Sequence, residues 1–133
     1  MDSGLLNGKN VWTQKDGTVT RESFNLNFVP RKRYRIRLIN AAVHTFFRFA
    51  IDQHNLTVIA NDIVPIVPFE TNAMPIDVGQ RYDIIVTVDQ ATDNYWMRAV
   101  PQAACGNNIA GDNIKGIVHY LGAESNTDPT SPG

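Results

Sequence analysis

Metal, thiol and proton chemistry all depend on His, Cys and carboxylate side chains that a fold can bring to one point. This sequence offers three histidines, His44, His54 and His119, and one cysteine, Cys105. No two of the histidines are close in sequence, and no His-X-His pair sets two imidazoles on one face of a strand. An electron-transfer copper site needs two His and a Cys, usually with a weak axial Met. Cys105 has no histidine near it before His119, so the donor set predicts no metal site in this chain. Its surroundings, Ala103-Ala104-Cys105-Gly106-Asn107, supply no base or positive charge that would activate a thiolate. A half-cystine is the better reading of Cys105 than a nucleophile.

His44 is the more informative histidine. The stretch Asn40-Ala41-Ala42-Val43-His44-Thr45 leaves one strand and enters the next, which sets His44 near a turn. An imidazole ordinarily titrates near about 6.5, a value suited to proton exchange. A lone loop histidine is also simply a surface residue, and both readings stand at this point. Asn55-Leu56-Thr57 matches an N-glycosylation acceptor at the start of a buried-looking strand. Phosphate-binding loops are absent, because Gly79 and Gly106 stand singly and Asn7-Gly8 reads as a turn. The run Arg31, Lys32, Arg33, Arg35, Arg37 is either an anion patch beside Tyr34 or the outer face of a strand bonded to carboxylates such as Asp83 or Asp62.

The elements that must position these residues read as strands. In Arg33-Tyr34-Arg35-Ile36-Arg37-Leu38-Ile39 the arginines and apolar residues alternate, as a half-buried strand requires. Phe47, Phe49 and Ile51 alternate with Arg48, Ala50 and Asp52 in the same way. Leu56 to Ala60 predicts a strand covered on both faces, and Asp83 to Val88, Asn94 to Val100 and Gly116 to Leu121 supply three more. Weaker candidates are Gly4 to Leu6, Glu22 to Phe28 and Asn72 to Val78. The spacing predicts an all-β sandwich or barrel with Greek-key connections. Gln102 to Asn113 reads as a long exposed loop, and Ala123 to Gly133 as a linker that packs nothing.

The chain has 133 residues, enough for one domain that buries roughly two-thirds of its unfolded surface. A net charge of −1 argues against a general nucleic-acid binder. No apolar run approaches the roughly 20 residues of a membrane-spanning helix. Met1-Asp2-Ser3-Gly4 lacks the layout of a signal peptide, so cytosol, a mature chain or an excised piece all fit.

Taken in order, several segments resemble the second, plastocyanin-like domain of multicopper oxidases. They are Gly4-Leu5-Leu6-Asn7-Gly8-Lys9, Arg33 to Asn40, Ile51 to Ala60, Asp62-Ile63-Val64-Pro65, Val78 to Asp83 and Asp93-Asn94-Tyr95-Trp96. The Val64-Pro65 segment and the Ala104-Cys105-Gly106 loop look most like laccases of ascomycete type. The resemblance implies a cupredoxin-like domain over residues 1–122 and a linker over 123–133 toward a third domain. It implies a secreted parent enzyme that oxidises phenols one electron at a time and reduces dioxygen to water. Copper in that parent is implied for the first and third domains, which are the partners of this one. The middle domain then acts as scaffold and as one wall of the substrate pocket, inactive alone.

Two residues carry the resemblance into chemistry. At the position of His44, laccases resemble one another in having an Asp or Glu that accepts the phenolic proton; His44 departs from that pattern, with Val43 and Thr45 as neighbouring candidates. Cys105 matches a loop cysteine that such laccases pair with a cysteine beyond this domain. Rival expectations are the middle domain of a metal-oxidising, ferroxidase-type relative and a free-standing copper-less binding module.

Overall fold

In the computed structural model, residues 4–13, 16–21, 23–102, 114–124 and 127–130 are described. The strands in chain order are β1 (Val11–Thr13), β2 (Val19–Arg21), β3 (Phe24–Phe28), β4 (Arg33–Ile39), β5 (Phe47–Ile51), β6 (Leu56–Asn61), β7 (Val64–Thr71), β8 (Met74–Ile76), β9 (Arg81–Thr87), β10 (Asn94–Pro101) and β11 (Lys115–Tyr120). A five-stranded sheet runs β3-β11-β10-β5-β8 and a four-stranded sheet runs β4-β9-β6-β7, with β1-β2 as a separate hairpin. Neighbours pair antiparallel except β3 and β11, which pair in parallel. The chain passes between the sheets from β3 to β4, β4 to β5, β5 to β6, β7 to β8, β8 to β9 and β9 to β10, so the product is the expected all-β sandwich. No helix occurs among the described residues.

Alternation turns directly into burial. On β4 the arginines are exposed while Tyr34, Ile36 and Leu38 face inward and are half-buried. Across the same face, Ile84 and Val86 of β9 and Leu56 and Val58 of β6 are fully buried against Phe49, Ile51, Met97, Val118 and Tyr120 of the other sheet. Each such side chain contributes about 1.5–3 kcal/mol by leaving water. Gly116 on β11 lies where a Cβ would meet the Phe24 carbonyl oxygen at 2.5 Å, so only glycine lets β3 pair there.

Several expectations are corrected. Gly4 to Leu6 forms no strand; Leu6 and Lys9 exchange backbone hydrogen bonds across Asn7 and Gly8, whose φ values of 47° and 79° make the tight turn that Asn-Gly favours. β7 was not expected; it carries Pro65 and Pro68 and is an edge strand, where a missing N–H is tolerated. β6 is fully buried on one face and only half-buried on the other, rather than covered on both. The segment from Ala123 onward does not pack nothing. Asn94 Nδ2 donates to the carbonyls of Glu124 and Thr127, and Pro129 is buried.

Candidate functional site

The loop between β4 and β5 carries His44, and Asn40 fixes that loop. Asn40 is 5% exposed and follows β4 directly. Its Nδ2 donates to the carbonyls of Thr45 at 2.9 Å and Ile76 at 3.1 Å, while its Oδ1 accepts from the Ala42 N–H at 3.0 Å. The Asn40 backbone adds two bonds to the turn at Gly79-Gln80, donating to Gln80 O and accepting from Gly79 N. On the far side of the loop the Gln102 N–H donates to Phe46 O at 3.1 Å. The loop is thus clamped at both ends while its tip projects outward. Val43 is 92% exposed at that tip, and His44 beside it is also exposed.

His44 lies on the rim of a groove of about 960 Å³ that opens between β3 and β4. Phe24, Leu26 and Phe28 line one side, β4 with its following loop another, and the turn segment of residues 4–8 also lines it. Phe28 and Tyr34 stack across the two sheets, ring centroids 4.4 Å apart, and the Val29 N–H donates to the Tyr34 hydroxyl. An exposed imidazole beside an apolar concavity can accept a proton or hydrogen bond from a weakly acidic hydroxyl such as a phenol.

The other two histidines are used structurally. His54 is buried; its Nδ1–H donates to the Asp52 carbonyl, which fixes the tautomer and leaves Nε2 to accept from the Tyr120 hydroxyl. Burial pushes the His54 imidazole below its ordinary value, against the opposing effects of the Asp52 carbonyl and the carboxylates of Asp89 and Asp52. Burial also pushes the Tyr120 phenol up to about 12 and raises that of Tyr95. His119 Nδ1–H donates to Asn94 Oδ1, and burial lowers its pKa too. Beside this cluster Arg98 grips Asp52 through two bonds of 2.9 Å, a bidentate pair that is nearly buried.

The arginine run of β4 takes the structural reading. Arg35 binds Asp83, Arg37 approaches it at 3.7 Å, and Asp62 pairs with Arg81 instead. Asn55 is exposed at the turn into β6, although Leu56 after it is buried. Cys105 lies outside the described residues. Sequence reasoning missed Asn40, Gln102 and the Asp52–Arg98 pair. Of these only Asn40 gave a local signal, as an Asn between a strand and small residues, where Asx turns form.

The described residues gather no set of copper ligands. The three imidazoles stand on separate elements, and two are bonded within the fold. Among the described residues no three His, Cys, Asp or Glu side chains converge.

The model of the multicopper oxidase family matches residues 1–123. Laccase-2 of Botryotinia fuckeliana is 44% identical over 138 residues, covering 100% of this chain and 24% of that protein. The crystal structure of the laccase from Botrytis aclada superposes with a TM-score of 0.88 at 42% identity, covering 100% of this chain and 25% of that one. Fet3p, a multicopper oxidase that functions in iron import, superposes with a TM-score of 0.73 at 20% identity over 87% of this chain and 22% of its own; that likeness shows the fold alone. The chain spans about a quarter of the length of these relatives.

Proposed function

We propose that this chain, which belongs to the multicopper oxidase family and resembles fungal laccases along its whole length, is the middle domain of a laccase-type oxidase and forms one wall of its phenol pocket. The observation that carries the reading is His44, exposed at the rim of an apolar groove on a loop that Asn40 holds in place. Removing one electron from a phenol makes its hydroxyl strongly acidic, so oxidation to a phenoxyl radical releases one proton. Copper in the remaining parts of the parent supplies the electron acceptor. This chain's share is the proton, taken by the neutral imidazole of His44, while the apolar wall orients the ring.

The rest of the surface supports a place between other domains. Ile63, Val64, Val67 and Phe69 along the β7 edge are exposed, Val67 to 87%, and such an apolar strip calls for cover. In the parent the neighbours are the first and third cupredoxin domains. A secreted parent also accounts for Cys105, paired with a cysteine beyond residue 133, and for Asn55 as an accessible glycosylation site. A ferroxidase-type role would favour a carboxylate at the rim, where His44 stands.

The test exchanges the base. An alanine removes the acceptor, whereas an aspartate supplies another in its place. In the parent enzyme His44→Ala is expected to lower phenol kcat/KM by about 100-fold and His44→Asp to restore most of it, with turnover of a non-phenolic dye unchanged in both. Unchanged phenol turnover in His44→Ala would remove His44 from the proton path.

A further inference from the structure

The turn Leu6-Asn7-Gly8-Lys9 sets a side-chain amide beside the residue type best suited to attack it. Gly8 follows Asn7 directly and has no Cβ to screen its backbone nitrogen. Both residues are exposed, and among the described residues neither the Asn7 carboxamide nor the Gly8 N–H has a hydrogen-bond partner. An isolated bridge holds the turn, the Leu6 N–H donating to Lys9 O at 2.9 Å and the Lys9 N–H to Leu6 O at 3.0 Å. Asn10 Nδ2 donates to Gly4 O at 2.6 Å and so closes the segment around the turn without engaging Asn7 or Gly8. Two bridge bonds of ordinary net strength favour the closed turn by about 30-fold, and once they open the chain rotates about Asn7.

Two neighbouring positions offer related chemistry and are held back. Asp16 precedes Gly17, but its Oδ1 accepts the Thr18 N–H at 2.9 Å. Hydrogen bonds from the Thr18 backbone and side chain hold the Asp16 carboxyl below its ordinary value, and an ionised carboxylate is a poor electrophile. Asn10 has its Oδ1 occupied by the Val11 N–H at 2.7 Å, and the attacking nitrogen there would belong to a β-branched residue. Asn7 carries neither restraint.

We infer that Asn7 is a site of spontaneous deamidation, with water as the only co-reactant. The Gly8 nitrogen gives its proton to solvent base and bonds to Asn7 Cγ, the Cγ–Nδ2 bond breaks, and ammonia leaves. Water then adds to either carbonyl of the five-membered imide, and ring opening yields aspartate or isoaspartate. One amide and one water thus become one carboxylate and one ammonium, with no change of oxidation state. Asn7 lines the groove, whose lining includes Arg35, Arg37 and His44 but no Asp or Glu. Deamidation therefore gives the groove its first carboxylate. Isoaspartate also adds a carbon to the main chain, which the two-residue turn, with φ of 47° at Asn7 and 79° at Gly8, does not accommodate. The pairing of Leu6 with Lys9 is then lost. The inference stands on this turn and is independent of the phenol reading.

Peptide mapping by mass spectrometry tests this on the folded parent enzyme, incubated at mildly alkaline pH beside a urea-unfolded sample. The peptide over residues 4–10 of the folded enzyme is expected to gain the mass of an amide-to-acid change at a rate within about 30-fold of the unfolded one. Isoaspartate should be the main product, recognised by methyl transfer from an isoaspartyl methyltransferase, and amide exchange over residues 6–9 should be faster in that form. In Asn7→Gln the mass gain should be absent. Conversion in urea with Asn7 intact in the folded enzyme overturns the inference in favour of a turn that protects the amide. Aspartate without isoaspartate overturns the imide route in favour of direct hydrolysis. A mass gain that persists in Asn7→Gln assigns the change to another residue and overturns it as well; the wild-type arms stand even where that variant does not fold.

Discussion

Replacing Asn40 by Ala would separate the loop that carries His44 from the sheet that holds it. Three side-chain hydrogen bonds disappear, to Thr45 O, Ile76 O and the Ala42 N–H. At about 1 kcal/mol each, with the bond to Ile76 buried, the loss comes to about 2–4 kcal/mol. Alanine fills less space but adds no clash, so the change reports bonds rather than packing strain. The functional effect follows from position: a misplacement near 1 Å costs about 100-fold in rate when a group must meet its proton in line. In the parent enzyme Asn40→Ala is therefore expected to lower the urea midpoint, speed amide exchange over residues 41–46, and lower phenol kcat/KM by about 10- to 100-fold. Turnover of a non-phenolic dye should change far less. Asn40→Asp keeps the Oδ1 acceptor but sets a carboxylate against two carbonyls, and should destabilise at least as much. A stability loss below about 0.5 kcal/mol with unchanged loop exchange would refute the clamp.

Other expectations are shorter to state. Gly116→Ala should cost about 1–3 kcal/mol in denaturant unfolding, since its Cβ would lie 2.5 Å from Phe24 O and 3.1 Å from Met97 Cε; an unchanged midpoint would mean β3 pairs more loosely than its register indicates. Burial lowers the His54 pKa below its unfolded value near about 6.5, so its contribution is complete above that pH and declines as pH falls toward the folded value. His119 acts in the same direction, so urea midpoints should drop from pH 8 to pH 5, less steeply in His54→Gln, and a flat profile would contradict the buried neutral imidazole. In a secreted parent, Cys105 should resist thiol titration although it is reactive in this chain alone, and a glycosidase mobility shift should vanish in Asn55→Gln. A free Cys105 thiol or an unshifted band in the parent would count against the respective assignment.

The fold was legible wherever one side of a strand is dry. Arg33 to Ile39 and Phe47 to Ile51 declare themselves because solvent and core alternate along them. β7 did not, because an edge strand with Pro65 and Pro68 is exposed along most of its length and carries no alternation to read. The tail past Ala123 looked like linker by composition, yet Asn94 holds it through backbone carbonyls, and a carbonyl acceptor has no signature in residue type. The candidate site divides in the same way. His44 was visible as a residue, while Asn40 acts through carbonyls 5 and 36 positions away and was visible only as an Asx-turn signal. His54 and Tyr120 are 66 positions apart, so nothing local announces their bond.

The two ends of the sandwich are built to different standards, and that difference bears on how the loop works. At one end His54 binds Tyr120, packs edge-on against Tyr95 at 4.9 Å, and lies beside the Asp52–Arg98 pair, so the β5–β6 turn, β10 and β11 are tied together. At the other end the groove separates β3 from β4. The loop bearing His44 begins at β4 on the open side, yet its anchors are Ile76 of β8, the Gly79-Gln80 turn and Gln102 after β10. None of the three lies on β3 or β4. The position of the imidazole is therefore set from outside those two strands, and its surroundings by the groove between them. A change inside the groove, such as Leu26→Ala, should alter stability and the shape of the phenol wall while leaving loop exchange over residues 41–46 unaltered; only a change at Asn40 should move both.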